Sequence, residues 1–328
     1  MRRLAMILSG LLALQVAGAV ALSLSGPDYG AFEPSEPLVA FDPEAVKEVT
    51  IEAEGGEAVV LQRQDENWML PDLYGFPADG GKAAGLVKNL AALKRGLPVA
   101  TSAAAAERFK VAEDAYERRI VLSGDDGRLG EILIGTSPTY RYVHARASGD
   151  EAVYSVQFAT YEAGTKPTEW MDRDLLHVPE DEIERIVLPT VTLVRQEDGF
   201  GIEELAEGEA EDEEAISSLI EKVARITFAS VEGKGDEALA RVGEPELRVE
   251  VERKDGPTVV YRLSKMTDGD DYLLATSTED YLFRVADYTV KPLLEASREK
   301  LIQKPAVEGE TGKPALSEKP AGADDSSG

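Results

Sequence analysis

The sequence predicts an α+β protein. A membrane helix at the N-terminus is followed by two tandem, internally duplicated units, each an antiparallel sheet with a helix laid on it. Three observations carry that expectation. The stretch LQRQDENWML, residues 61–70, is nearly repeated as LVRQEDGFGI, residues 193–202. Each copy then runs into an apolar stripe of helical period and, further on, into an Asp-Gly step between alternating apolar runs. Ahead of both copies lies one uncharged apolar run, residues 4–24, preceded by Arg2 and Arg3.

That run comes first. As a helix it would be roughly 31 Å long at about 1.5 Å per residue, close to a bilayer core of about 30 Å. Arginines before a span stay in the cytoplasm, so everything after Ser25 is expected outside it. Ala19-Val20-Ala21 is also spaced like a cleavage site, so residues 1–25 read as a single-pass anchor or as a signal peptide. Residues 26–41, with Pro27, Pro34 and Pro37, read as a linker.

Unit one is expected over 42–178 and unit two over 179–302. Val46, Val49 and Ile51 match Ile183, Ile186 and Leu188, each set after a Pro-Glu step. Leu86, Val87, Leu90 and Leu93 form one face of a helix; Ile216, Leu219, Ile220, Val223 and Ile226 form another. Asp79 and Asp212 stand where N-caps belong. Ile120 and Leu122 lead through Asp126-Gly127 to Ile132 and Ile134, as Val249 and Val251 lead through Asp255-Gly256 to Tyr261 and Leu263. Asp-Gly between such runs signals a hairpin. Tyr142, Ala145, Tyr154 and Val156 then match Tyr272, Ala275, Phe283 and Val285, and Arg173 and Leu176 match Arg298 and Leu301. The offset drifts only from 137 (183 minus 46) to 125 (298 minus 173), as small deletions require. Each unit thus reads β–β–α–β–β–β–β with a short closing helix, an antiparallel rather than a doubly wound plan. The tail, 303–328, has the composition of a disordered segment.

Length and composition bound the rest. A chain of 328 residues with 43% hydrophobic content is long enough for two globular domains. A net charge of -27 argues against a nucleic-acid surface, which needs a basic footprint. The absence of cysteine excludes disulfides, thiolate metal sites and a cysteine nucleophile.

Catalytic patterns are sparse. The two histidines, His144 and His177, form no H-E-x-x-H, and neither G-x-S-x-G nor a glycine-rich phosphate loop occurs. The run EELAEGEAEDEE, 203–214, holds eight carboxylates but lacks the spacing of a calcium loop, and reads as a solvated excursion. No catalytic residue, cofactor or metal ligand is therefore expected. Two stretches suit a contact surface. Tyr74 and Phe76 lie between two prolines in LPDLYGFPADGG, although Phe76 is also placed to staple the helix start. In YRYVHAR, strand alternation sets Tyr140, Tyr142, His144 and Arg146 on one face, either as a binding strip or as an ordinary solvent face. Trp170 and Arg173, near the junction, are expected to lock the units together.

The stretches WMLPDLYGFPADGGKAAGLVKNLAALK (68–94) and EWMDRDLLHVPEDEIERIVL (169–188), after a single N-terminal apolar helix, resemble the bacterial "domain of unknown function 4340" family. The resemblance implies an envelope protein whose relatives occur beside components of ABC-type transport systems. It brings no catalytic residues with it, and the acidic excursion at 203–214 departs from its pattern. The expected function is a non-enzymatic accessory subunit, anchored in the bacterial inner membrane with its bulk outside the cytoplasm, that binds an ABC-type transport complex. The alternative is an envelope enzyme or binding protein acting on polysaccharide or cell wall.

Overall fold

A computed structural model describes residues 36–303, together with Gln15. The expected anchor, nearly all of the linker and the tail beyond Gln303 lie outside the described residues. Among the described residues no helix is long and apolar enough to cross a membrane. The chain divides into two compact units: the first runs to Leu175 and includes Ala229–Gly233, and the second comprises Leu176–Phe228 and the chain from Lys234 on.

Unit one is built on strands β1 (Glu48–Ala53), β2 (Ala58–Gln64), β3 (Asn67–Leu70), β4 (Phe76–Pro77), β7 (Arg118–Gly124), β8 (Gly127–Ile134), β9 (Tyr142–Ala147) and β10 (Tyr154–Gln157). They form one eight-stranded sheet in the order β10-β9-β8-β7-β1-β2-β3-β4. Every pairing is antiparallel. Alternation decides the register. Val49 pairs with Leu61 and with Leu122, and Ile51 with Val59 and with Ile120, so one face is apolar across neighbouring strands. Helix α1 (Gly80–Ala92) buries Ala83, Leu86, Val87 and Leu90. Burying each of its larger apolar side chains is worth about 1.5–3 kcal/mol. The Asp79 carboxylate caps it by accepting the Lys82 N–H at 2.9 Å, a cap worth about 1 kcal/mol.

Unit two carries β11 (Ile183–Val187), β12 (Thr192–Gln196), β13 (Gly199–Ile202), β15 (Leu247–Arg253), β16 (Val259–Lys265), β17 (Tyr272–Thr276) and β18 (Tyr281–Val285), with β14 (Ser230–Lys234) last in its sheet. Its sheet runs β13-β12-β11-β15-β16-β17-β18-β14. Numbered within each unit by order of appearance, both sheets share the arrangement 3-2-1-4-5-6-7. They differ in the eighth strand, which is β4 beside strand 3 in unit one and β14 beside strand 7 in unit two. Helix α3 (Glu213–Ala224) buries Ile216, Leu219, Ile220 and Val223 and is capped by Asp212, whose carboxylate accepts the Ala215 N–H at 3.0 Å.

Three features correct the sequence expectation. The repeated stretch is a hairpin rather than one strand, because Asp65, at φ 54°, reverses the chain between β2 and β3. Ahead of its helix unit one therefore places four strands, the short β4 included, and unit two three, rather than two each. Further, the second face of each sheet is also covered. In unit one α2 (Ala103–Arg108) and the hairpin β5–β6 (Val111–Ala112, Ala115–Tyr116) bury Ala106, Val111, Leu133 and Val153. In unit two α4 (Asp236–Leu239) and the turn after it belong to a small core of Val242, Leu273, Ala275 and Leu282. Finally, a closing helix forms in unit two, as α5 (Asp287–Leu294) and α6 (Arg298–Leu301), while unit one closes with 3-10 turns at Thr160–Glu162 and Pro167–Glu169. There Trp170 is fully buried and donates its indole N–H to the Gly164 carbonyl at 2.9 Å, with Lys82 Nζ 4.6 Å from its ring.

Candidate functional site

The six residues singled out from sequence do not converge. Tyr74 is half exposed on the turn between β3 and β4, with φ 58°. Phe76, two residues on, is fully buried and pairs with Leu70. It belongs to the core and is closed to any partner.

The strip from Tyr140 to Arg146 is not one exposed face. Tyr140 precedes the strand and is 83% exposed, and Tyr142 is 40% exposed, whereas His144 and Arg146 are each only 8% exposed. The covering segment of residues 100–116 is the reason. His144 stacks on Phe109 with ring centroids 4.1 Å apart, and its Nδ1 lies 2.8 Å from the Thr136 carbonyl. A carbonyl only accepts, so Nδ1 carries the proton. Arg146 donates to the carbonyls of Val111 and Asp150, at 2.6 and 2.7 Å, and to Glu113 Oε1 at 3.1 Å. Both side chains fasten the covering segment to the sheet.

Tyr142 opens instead into a cleft of ≈ 420 Å³. One wall is the end of α1 and the turn after it, with Asn89, Leu93 and Lys94; the other is the outer margin of β10, with Ser155 and Gln157. Arg141 and Glu162 complete the rim. Glu162 is engaged within the cleft: it accepts from the Asn89 amide at 2.8 Å and from the Ala159 N–H at 3.2 Å. Among the described residues neither Lys94 nor Arg141 has a carboxylate within ion-pair distance. Two cations without an ion-pair partner thus line one cleft in a chain of net charge -27.

Arg141 is also held at φ 58°, in the left-handed region that favours glycine. Its backbone has a task there, since its carbonyl accepts the Phe158 N–H at 3.0 Å. Strain of this kind costs on the order of 1–3 kcal/mol and is concentrated at functional positions. Exposed apolar side chains gather at the same place. Tyr140 and Tyr161 directly precede the cleft residues Arg141 and Glu162, and exposed Val99 donates its N–H to Val153, two residues before Ser155.

A second cleft, ≈ 410 Å³, lies beside α2 and includes Glu107, Glu113, Asp114, Asp150 and Glu151 around Arg146. Among the described residues no group of three or more histidines and carboxylates is disposed to hold a metal ion. The acidic excursion of unit two is tied down at its far end: Glu209 lies 2.6 Å from Arg298, and Glu211 accepts the Ile202 N–H at 2.6 Å. The Arg298 guanidinium holds the Glu209 carboxyl below the usual carboxylate range.

Sequence reasoning found Tyr140 and Tyr142 but missed Lys94, Arg141, Ser155 and Gln157. The available signal was Arg141 itself, the residue between the two tyrosines. No curated protein and no solved structure matches the chain. The family described as Domain of unknown function (DUF4340) matches residues 68–215.

Proposed function

We propose that this protein is a non-enzymatic accessory subunit, held at the bacterial inner membrane by residues 4–24, whose first unit binds another protein of a membrane transport assembly of the ABC type. The cleft at Tyr142 carries the reading. It combines exposed tyrosines, two cations without ion-pair partners and a strained arginine, which suit recognition. Within it the Glu162 carboxylate is already engaged by the Asn89 amide at 2.8 Å.

The chain's course supports a site near the membrane. Leu38 donates to Leu93 and Arg95 donates to Glu36, each at 2.8 Å, so the described chain enters beside the cleft wall. Ten residues, 26–35, separate that point from Ser25. However arranged, they reach at most about 36 Å at roughly 3.6 Å per residue. A partner in or next to the bilayer is within that radius.

Photocrosslinking in intact cells tests the reading. A photoreactive phenylalanine analogue replaces Tyr142 in one strain and Tyr288, an exposed tyrosine of unit two, in another. The expected result is a discrete crosslink to a membrane-complex protein from position 142 that position 288 does not give. Crosslinked glycan at position 142 would instead select the polysaccharide reading, and no product at either position would contradict both.

A further inference from the structure

Among the described residues the cleft borders a sheet edge, that of β10, with no strand beyond it. His144 donates its N–H to Thr136 and accepts from Gly135, both at 2.9 Å, so its backbone faces the β8 side. Its neighbours Val143 and Ala145 therefore face β10, where they pair with Val156 and Tyr154. Strand alternation turns the intervening backbone groups of β10, those of Val153, Ser155 and Gln157, away from the sheet. Val153 is satisfied: it donates to Ala100 and accepts from Val99, each at 2.8 Å. Beyond it the pairing stops, since Ala100–Val153 is an isolated bridge. Among the described residues no bond carries the ladder on toward Ser155. Ser155 and Gln157 consequently point their N–H and C=O groups into the cleft.

In the other eight-stranded sheet the strand at the corresponding place, β18, has β14 beside it. The same edge is thus strand-covered in one copy and open beyond a single bridge in the other. An unpaired edge is a template for another chain.

Resting on the partner reading above, we infer that the open edge of β10 takes an extended peptide segment of the partner protein, added as a further strand beside Ser155 and Gln157, with an Asp or Glu of that segment set against Arg141 and Lys94. Main-chain bonds supply affinity in such strand addition and flanking side chains supply specificity. The two cations assign the acidic residue. The adjoining tyrosines, Tyr140 and Tyr142, bracket the peptide's apolar side chains.

The test separates backbone from side chain. Gln157→Pro removes an outward N–H, which an edge strand tolerates, while Gln157→Ala keeps it. Both go into the strain carrying the crosslinker at position 142. The expected result is a yield near the parent's for Q157A and at least tenfold lower for Q157P, with equal thermal melting of the purified proteins. The crosslinked partner peptide, sequenced by mass spectrometry, carries Asp or Glu within a few residues of the link. Equal yields for Q157A and Q157P would overturn strand addition while leaving the partner reading intact. Loss of crosslinking already in the parent would instead sink the partner reading. A crosslink to residues 26–35 of the same chain would overturn the inference by showing the edge covered from within. If Q157P melts lower, a synthetic peptide of the sequenced segment added to the parent protein decides the matter: the Ser155 and Gln157 amides gain tenfold or more protection from hydrogen exchange, or the inference fails.

Discussion

Arg146→Ala tests whether the sheet of unit one is covered on its second face. The guanidinium holds three acceptors: the Val111 carbonyl at 2.6 Å, the Asp150 carbonyl at 2.7 Å and Glu113 at 3.1 Å. Glu113 is half exposed, so solvent screens that ion pair, and its loss contributes little, on the order of 0–1 kcal/mol. The two carbonyl bonds dominate. Each is a hydrogen bond to a charged donor, worth about 1.5–3 kcal/mol. Val111 is fully buried, so truncation also leaves its carbonyl without the donor it now has. Together the substitution is expected to cost about 3–5 kcal/mol. At about 2–4 °C per kcal/mol for a domain of this size, the melting transition of unit one falls by roughly 6–20 °C. Urea unfolding of the full-length protein, followed by circular dichroism, gives the free energy, and calorimetry gives the transition. Tyr142→Ala, from the same strand but the exposed side, serves as the control and is expected to cost less than about 1 kcal/mol. A cost below about 1 kcal/mol for R146A, or equal costs for the two variants, would show that Arg146 lies on an open face.

Three further outcomes follow from particular residues. Arg141→Gly relieves a left-handed backbone at φ 58°, so stability rises by about 0.5–1 kcal/mol while crosslinking from position 142 falls. A loss of stability would mean the side chain is structural. Trp170→Phe leaves the Gly164 carbonyl without its indole donor and is expected to cost about 1–3 kcal/mol in chemical denaturation; a neutral result contradicts the assigned bond. Glu209 titrates below its unfolded value because of Arg298, so its contribution is present above that unfolded value and is lost as pH falls through the lower folded one. Glu209→Gln is therefore less stable than the parent at pH 7, and the gap closes in acid as the parent's carboxyl protonates. A gap that stays constant down to about pH 3 would remove Arg298 as the cause.

Much of the fold can be read from spacing. The stripes at Leu86–Leu90 and Ile216–Val223, their Asp caps, and the glycines at 127 and 256, both at positive φ, stand where periodicity and turn chemistry require them. The β2–β3 hairpin is hidden because its turn, Asp65-Glu66, contains no glycine; an Asp able to adopt positive φ does the work instead. The covering segment is hidden for another reason. Its helix, AAAAER, has so little apolar contrast that no stripe marks its buried side, yet Ala106 is buried against Leu133 and Val153. With that layer unseen, alternation alone placed His144 and Arg146 on an open face. The open edge depends on a bridge between Ala100 and Val153, across a long sequence separation, that goes no further, which only the register of β10 discloses.

The account rests on the β10 edge being a partner's docking strand. Hydrogen exchange of the peptide covering residues 153–158, read by mass spectrometry, tests this directly in native membranes against the purified protein. The account predicts that the Ser155 and Gln157 amides exchange freely in the purified chain and at least tenfold more slowly in the membranes. Exchange at the same rate in both preparations would contradict it.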